Sequence, residues 1–214
     1  MLTTHWPLVG LRITTPRLEL RLPDDADLAA LADLAADGVH APDRMPFTVE
    51  WTDVPAAERA RSVVQHHWRS RGEWSPADWS LGLTVFEAGR PLGMQELSAR
   101  DFGVLRTVST GSWLGLRHHG RGVGTEMRAA VLHFAFTALG AREAVSAAFT
   151  DNADSQRVSH KLGYQPDGVQ RVVSRGRPAT LQRLRLSHTD WRPPRDLPIT
   201  ISGLEPCLPL FGIG

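Results

Sequence analysis

Three glycines at alternate positions, Gly120, Gly122 and Gly124, separate an apolar run from a helix-forming run in the stretch Gly111-Ser-Trp-Leu-Gly-Leu-Arg-His-His-Gly-Arg-Gly-Val-Gly-Thr-Glu-Met127. Glycine tolerates positive φ and has no Cβ, so such a loop can turn sharply and aim several backbone N–H groups at one ligand. The helix that follows adds N–H donors with no partner inside it and the positive end of its dipole. Together these make a cradle for a phosphate group. Two other readings exist, a tight structural turn and a dinucleotide-binding loop. The dinucleotide loop needs its last glycine one residue later, and it opens a βαβ unit instead of following a run of strands. A Gly-Lys-Ser/Thr nucleotide loop is absent from the sequence. Asn152 and Ser155 form a second constellation, with the spacing of a helix cap. The pairs His66-His67 and His118-His119 are adjacent, so their side chains diverge and no metal site is expected.

The loop has to be held by the elements on either side of it. Leu18, Leu20 and Leu22 alternate with Arg17, Glu19 and Arg21, the period of a half-buried strand. Pro23-Asp24-Asp25 then predicts a helix start, with Leu28, Leu31 and Ala35 on one face as far as Ala36. Residues 39–53 have no period and carry Met45, Phe47 and Trp51. A second helix is expected from Pro55 to about Arg71, burying Ala60, Val63, Val64 and Trp68. Trp79–Phe86 and Leu92–Leu97 read as a hairpin around Glu87–Arg90, and a third strand runs from about Thr107 to Leu116. After the glycines, Met127, Ala130, Val131, Phe134 and Ala138 share a helical face that ends at Gly140. Glu143–Phe149 reads as a buried strand, Asn152–Leu162 as a short helix, and Val169–Ser174 with Thr180–Leu186 as a last hairpin. The proline-rich residues 191–214 lack an amphipathic period and predict a loose or partner-dependent tail.

Composition narrows the function classes. The 24 basic and 23 acidic residues leave a net charge of +1, so no bulk field favours nucleic acid or an anionic membrane. The single cysteine, Cys207, cannot form an internal disulfide. The opening residues lack the charged and apolar regions of a secretion signal, and no run approaches ~18 consecutive apolar residues. A cytoplasmic protein is the expectation.

The segment from Trp113 to Tyr164 resembles the GNAT family of N-acetyltransferases, in particular the RimJ/RimL-type group that acetylates ribosomal-protein N-termini and small amines. The family's loop, Gln/Arg-x-x-Gly-x-Gly/Ala, falls on His119-Gly-Arg-Gly122-Val-Gly124, with histidine at the first position as a departure. The register Arg117-His-His-Gly120-Arg-Gly122 also fits, but the spacing from Trp113-Leu114 favours the first. The stretch Asn152-Ala-Asp-Ser155, running on to Leu162-Gly-Tyr164, is similar to the family's Asn-x-x-Ser helix. The opening Thr15-Pro-Arg-Leu-Glu-Leu-Arg-Leu22 is typical as well. The resemblance covers residues 12–190, taken as the acyltransferase domain.

It implies an α/β fold with a mixed, mostly antiparallel sheet of about seven strands flanked by helices and splayed open to hold acyl-CoA. Trp113, Leu114 and Leu116 would pair with pantetheine. His119, Gly120, Arg121, Gly122, Val123, Gly124 and Thr125 would seat the pyrophosphate, and Asn152 and Ser155 would also bind the cofactor. Met45, Phe47 and Trp51 would line the acceptor pocket. The implied reaction is direct attack of a neutral amine on the thioester carbonyl in a ternary complex, with loss of the thiolate and no metal. The tyrosine that protonates sulfur in much of the family is Ser159 here, and the glutamate often found on the third strand is Ser109. By the same resemblance Ser155 would be the acid, and Glu96, on the neighbouring strand, is the substitute base, acting through water. Acetyl-CoA is the default donor, and a succinyl donor would need an arginine for its distal carboxylate. The acceptor would be a protein or peptide N-terminus or a small-molecule amine. A homodimer is a family expectation, and a catalytically silent acyl-CoA sensor is the reading from a different class.

Overall fold

In a computed structural model, in which residues 1–213 are described, the chain forms one nine-stranded sheet. Its strands are β1 (Arg12–Thr14), β2 (Leu18–Arg21), β3 (Asp78–Glu87), β4 (Arg90–Arg100), β5 (Thr107–Leu114), β6 (Glu143–Phe149), β7 (Gln165–Ser174), β8 (Arg177–Ser187) and β9 (Thr200–Ser202). Their spatial order is β7-β8-β6-β5-β4-β3-β2-β1-β9. The helices are α1 (Leu2–His5), α2 (Asp25–Asp37), α3 (Ala56–Gly72), α4 (Phe102–Leu105), α5 (Val123–His133) and α6 (Ala153–Lys161).

Every neighbouring pair of strands is antiparallel except β5 and β6. That parallel pair is short, matching Thr107 with Glu143, Val108 with Ala144 and Ser109 with Val145. Beyond Ser109 the two strands part. The β6 strand keeps β8 along its whole length and β5 keeps β4, so the gap is a V with a β-ladder behind each wall.

Two apolar layers sandwich the sheet. On one face Leu28, Leu31, Leu34 and Ala35 of α2 pack with Val63, Met94 and Trp113. Asp24 and Asp27 close a reciprocal capping box at the start of α2, as Pro23-Asp24-Asp25 predicts. On the other face Val123, Met127, Ala130 and Val131 of α5 bury against Leu81, Leu83 and Leu97. The last turn of that helix widens to π geometry over Phe134–Ala138, which keeps both Phe134 and Phe136 buried.

Three expectations are corrected. In α3 the inward residue after Val63 is His67, four positions on, whereas Trp68 is 58% exposed. One residue turns a helix by 100°, and His67 lies on the Val63 line. The proline-rich tail is not loose. Its strand β9 pairs with β1, and the 3₁₀ segment Glu205–Phe211 buries Cys207 and Phe211 completely. Trp74 Nε1–H donates to Leu210 O at 2.9 Å. Residues before 12 and after 190, including Leu8, Leu11 and Phe211, thus share the core of the 12–190 segment. With β9 and the short β1, the sheet has nine strands instead of about seven.

Candidate active site

At the mouth of the V, β5 ends at Leu114 and the chain makes one 3₁₀ turn, Leu116–His118. The His119 ring lies back on Leu114 O at 3.1 Å. Gly120 (φ 74°) and Gly122 (φ 77°) then take left-handed conformations, and α5 begins at Val123. Only these two of the three glycines need a positive φ. Gly124 is helical, and a Cβ there would touch Leu114 of β5 and Val158 of α6, both at 3.9 Å. The Val123 side chain is fully buried and pins the first turn. Among the described residues the N–H groups of Gly122, Val123 and Gly124 have no backbone partner, whereas Thr125 N–H donates to Gly122 O at 3.2 Å. Thr125 therefore offers its hydroxyl and not its N–H.

Residues more than a hundred positions away hold this loop in place, and the sequence reading gave them no role. Glu126 accepts from Thr15 Oγ1 and from Arg17 Nε, both at 2.6 Å. Arg17 Nη2 also donates to Arg121 O at 3.1 Å. In a trans peptide the carbonyl and the next N–H point opposite ways, so this bond turns Gly122 N–H away from Arg17. The Arg121 side chain is tied to Glu87 at 2.7 Å. The Thr15-Pro-Arg17 motif was the available signal.

Inside the V lies a buried polar cluster. Arg128 is 6% exposed; it donates to Ser159 Oγ on α6 at 3.0 Å and to Ser112 Oγ on β5 at 3.2 Å. It thus bridges β5 and α6 without a carboxylate partner among the described residues, and burial lowers its pKa below the ordinary arginine value. Tyr164 OH meets Thr110 Oγ1 at 3.1 Å, and burial raises the pKa of this phenol, opposed by the Arg128 charge. Ser159, at the resemblance's tyrosine position, is engaged by Arg128. On the far wall Asn152 Oδ1 caps α6 by accepting Ser155 N–H at 3.1 Å, which leaves the Ser155 hydroxyl without an intrachain bond among the described residues.

The opposite face of the sheet carries an aromatic series. Trp113 and Trp51 lie 5.6 Å apart, Trp51 and Phe47 5.4 Å, and Phe47 and His40 5.7 Å. Met45 sits beside Thr52, with its sulfur 3.9 Å from Oγ1. The Trp113 side chain therefore joins the predicted pocket residues Phe47 and Trp51. Leu114 points into the other layer, and Leu116 is 47% exposed. Glu96 shares the Trp113 face, standing opposite Gly111 in the ladder, and hydrogen-bonds His66 Nε2 at 2.9 Å. At the edge of this region the β7–β8 turn grips the 39–53 loop. Arg175 reaches Asp53 with two bonds of 2.7 and 2.6 Å and Pro42 O at 3.1 Å.

A mixed sheet opened at its one parallel pair, with a glycine loop and a helix N-terminus at the mouth, defines an acyl-CoA-type acyltransferase fold. The chain belongs to the GNAT acetyltransferase family, whose domain model matches residues 17–165, and it is on that ground an N-acetyltransferase that uses acyl-CoA. Solved structures with this fold include RimJ of Mycobacterium smegmatis in complex with a CoA disulfide, at 18% identity and a TM-score of 0.66, covering 85% of this chain and 88% of that one. A ribosomal-protein alanine acetyltransferase of Vibrio fischeri matches at 14% identity and 0.64, covering 85% and 99%. RimL, a ribosomal α-N-protein acetyltransferase in complex with coenzyme A, matches at 17% and 0.64, covering 80% and 94%.

Proposed function

We propose that this protein is a cytoplasmic enzyme that transfers the acetyl group of acetyl-CoA to a primary amine, at a protein or peptide N-terminus or on a small molecule. The parting of β5 from β6 directly behind the glycine loop carries this reading. Among the described residues one edge of β5 has no ladder partner from Thr110 to Leu114, only the Ser146 hydroxyl reaching Thr110 O at 3.3 Å, so beyond that point it offers the pantetheine amides a strand to pair with. The free N–H groups of Gly122, Val123 and Gly124, with the Thr125 hydroxyl and the dipole of α5, suit the pyrophosphate. Bound acetyl-CoA would supply an activated thioester. The chain would then have to hold that group, orient the amine and move two protons.

Ser155 is the proton donor in this reading, because its hydroxyl is free while its N–H is held by Asn152. Glu96 supplies the basic end, on the face lined by Trp113, Trp51 and Phe47. The RimL neighbour, an α-N-protein acetyltransferase, supports a protein N-terminus as acceptor, and peptide α-amines, with a pKa of about 8, are easier to deprotonate than lysine at about 10.4.

The test is thiol release from acetyl-CoA with a panel of N-terminal peptides and small amines, alongside thermal shift with CoA. Turnover with at least one amine is expected. Stabilisation by CoA without turnover on any acceptor would favour the sensor, and no stabilisation would reject both readings. Ser155→Ala should lower kcat about 100-fold, the low end for loss of a general acid, at unchanged KM for acetyl-CoA. An unchanged kcat would reduce Ser155 to part of the helix cap.

A further inference from the structure

We propose that His66 takes the proton from the acceptor amine and that Glu96 is the carboxylate that orients its ring. The inference rests on the acyltransferase reading above, and it moves the proton-accepting atom from the carboxylate to the imidazole. His66 Nε2 lies 2.9 Å from Glu96 Oε2, and Nδ1 has no partner in the chain among the described residues. An ionised Glu96 can only accept, so Nε2 carries the hydrogen and Nδ1 keeps its lone pair. Proton uptake at Nδ1 gives an imidazolium that already faces a carboxylate, the same division of labour as in a carboxylate–histidine pair of a hydrolase.

The surroundings separate this pair from an ordinary surface ion pair. Gly111 stands directly across from Glu96 in the β4–β5 ladder, and a Cβ built on it would meet nothing within 4 Å. Ladder partners project to the same face, so the space beside the carboxylate is open. Two residues along β5, Trp113 walls that face and leads to Trp51 and Phe47. The His66 side chain is 43% exposed and that of Glu96 23%, so the ring is accessible and the carboxylate is half-sheltered behind it. The titratable neighbours are Glu96 from β4 and His67, whose ring lies 6.0 Å away on the same helix. Burial, with the charges of His66 and Arg71, pushes His67 down to about 3, so it stays neutral and does not compete for the proton.

The protons and bonds balance. An alkylammonium acceptor gives one proton to Nδ1, and the neutral nitrogen forms the N–C bond as the C–S bond breaks. The nitrogen of the adduct sheds its second proton as the sulfur departs with the electron pair and takes up one proton, and the imidazolium returns the first to solvent, so that ammonium and thioester give amide, thiol and one released proton.

The experiment measures kcat/KM against pH for the wild type, His66→Gln, His66→Ala and Glu96→Gln on the best acceptor of the panel, with CoA thermal shift on each to confirm the fold. His66→Gln should lose about 100-fold at neutral pH, together with the acidic limb of the profile. Glu96→Gln should lose less, in kcat with the KM for the amine unchanged, because the ring keeps its proton-accepting atom and loses only the partner that orients it. Added imidazole should restore part of the His66→Ala rate. If wild-type turnover is present and the His66→Gln profile keeps the limb at an unchanged rate, the assignment is overturned while the acyltransferase reading stands. Absence of wild-type turnover on the whole panel overturns both.

Discussion

Gly122→Asp should fold and yet lose coenzyme A, with Kd rising at least about 100-fold, equivalent to about 2.7 kcal/mol. Gly122 sits at φ 77° as the N-cap of α5, and a side chain there would have only Arg17 Nη2 nearby, at 3.5 Å. Aspartate is among the residues that best tolerate the left-handed region and is favourable at a helix start, so the backbone should accept it for about 1 kcal/mol. The ligand should not. A carboxylate beside the free N–H groups of Val123 and Gly124 would occupy the donors meant for the pyrophosphate and repel its charge. Gly122→Asn has the same shape and backbone preference without the charge, and should bind CoA within several-fold of the wild type. Calorimetric titration of the three proteins decides the matter, and equal affinity for Gly122→Asp and wild type would refute the loop assignment.

Phe211→Ala should destabilise the whole protein, even though Phe211 lies three residues from the end of the chain. Its ring is fully buried, with ring centres 5.0 Å from Trp79, 5.6 Å from Trp74 and 5.9 Å from Phe134. Truncating a buried phenylalanine costs roughly 3–5 kcal/mol, part in transfer and part in the cavity left behind. For a chain of this size each kcal/mol lowers Tm by about 2–4 °C, so a fall of about 10 °C is expected. Two glycines let the tail dock: a Cβ on Gly203 would lie 2.3 Å from Gly10 O, and one on Gly103 2.6 Å from Gly212 O. Thermal melts of Phe211→Ala beside the wild type are sufficient. A loss under about 2 °C would mean that the tail is dispensable packing.

What was legible in the sequence and what was not follow one physical division. The glycine loop, the capping aspartates and the Asn152–Ser155 turn could be read because each is built from residues within a few positions of one another. The tail was misread for the complementary reason. Pro206 and Pro209 erase any helical period from Glu205–Phe211, and the partners that order it, Trp74 and Trp79, lie over 130 residues away. Arg128 escaped notice because an arginine on a helix is normally solvated, and only the meeting of β5 and α6 shows that Ser112 and Ser159 await it. His67 and Trp68 differ by one residue in helical phase, and adjacent aromatic rings give a sequence pattern no way to choose between them.

By itself, then, the sequence determined the short-range parts of this protein: a glycine turn, the helix that follows it, and a second capped helix at family spacing. Backbone conformation and first-turn hydrogen bonding are local, and local residue types dictate them. Tertiary structure alone decided which distant groups met. It placed Thr15 and Arg17 under the loop, Arg128 between β5 and α6, and His66 against Glu96 on the face that carries Trp113. Those pairings depend on sheet register and on the packing of helices against it, and no spacing along the chain encodes either one.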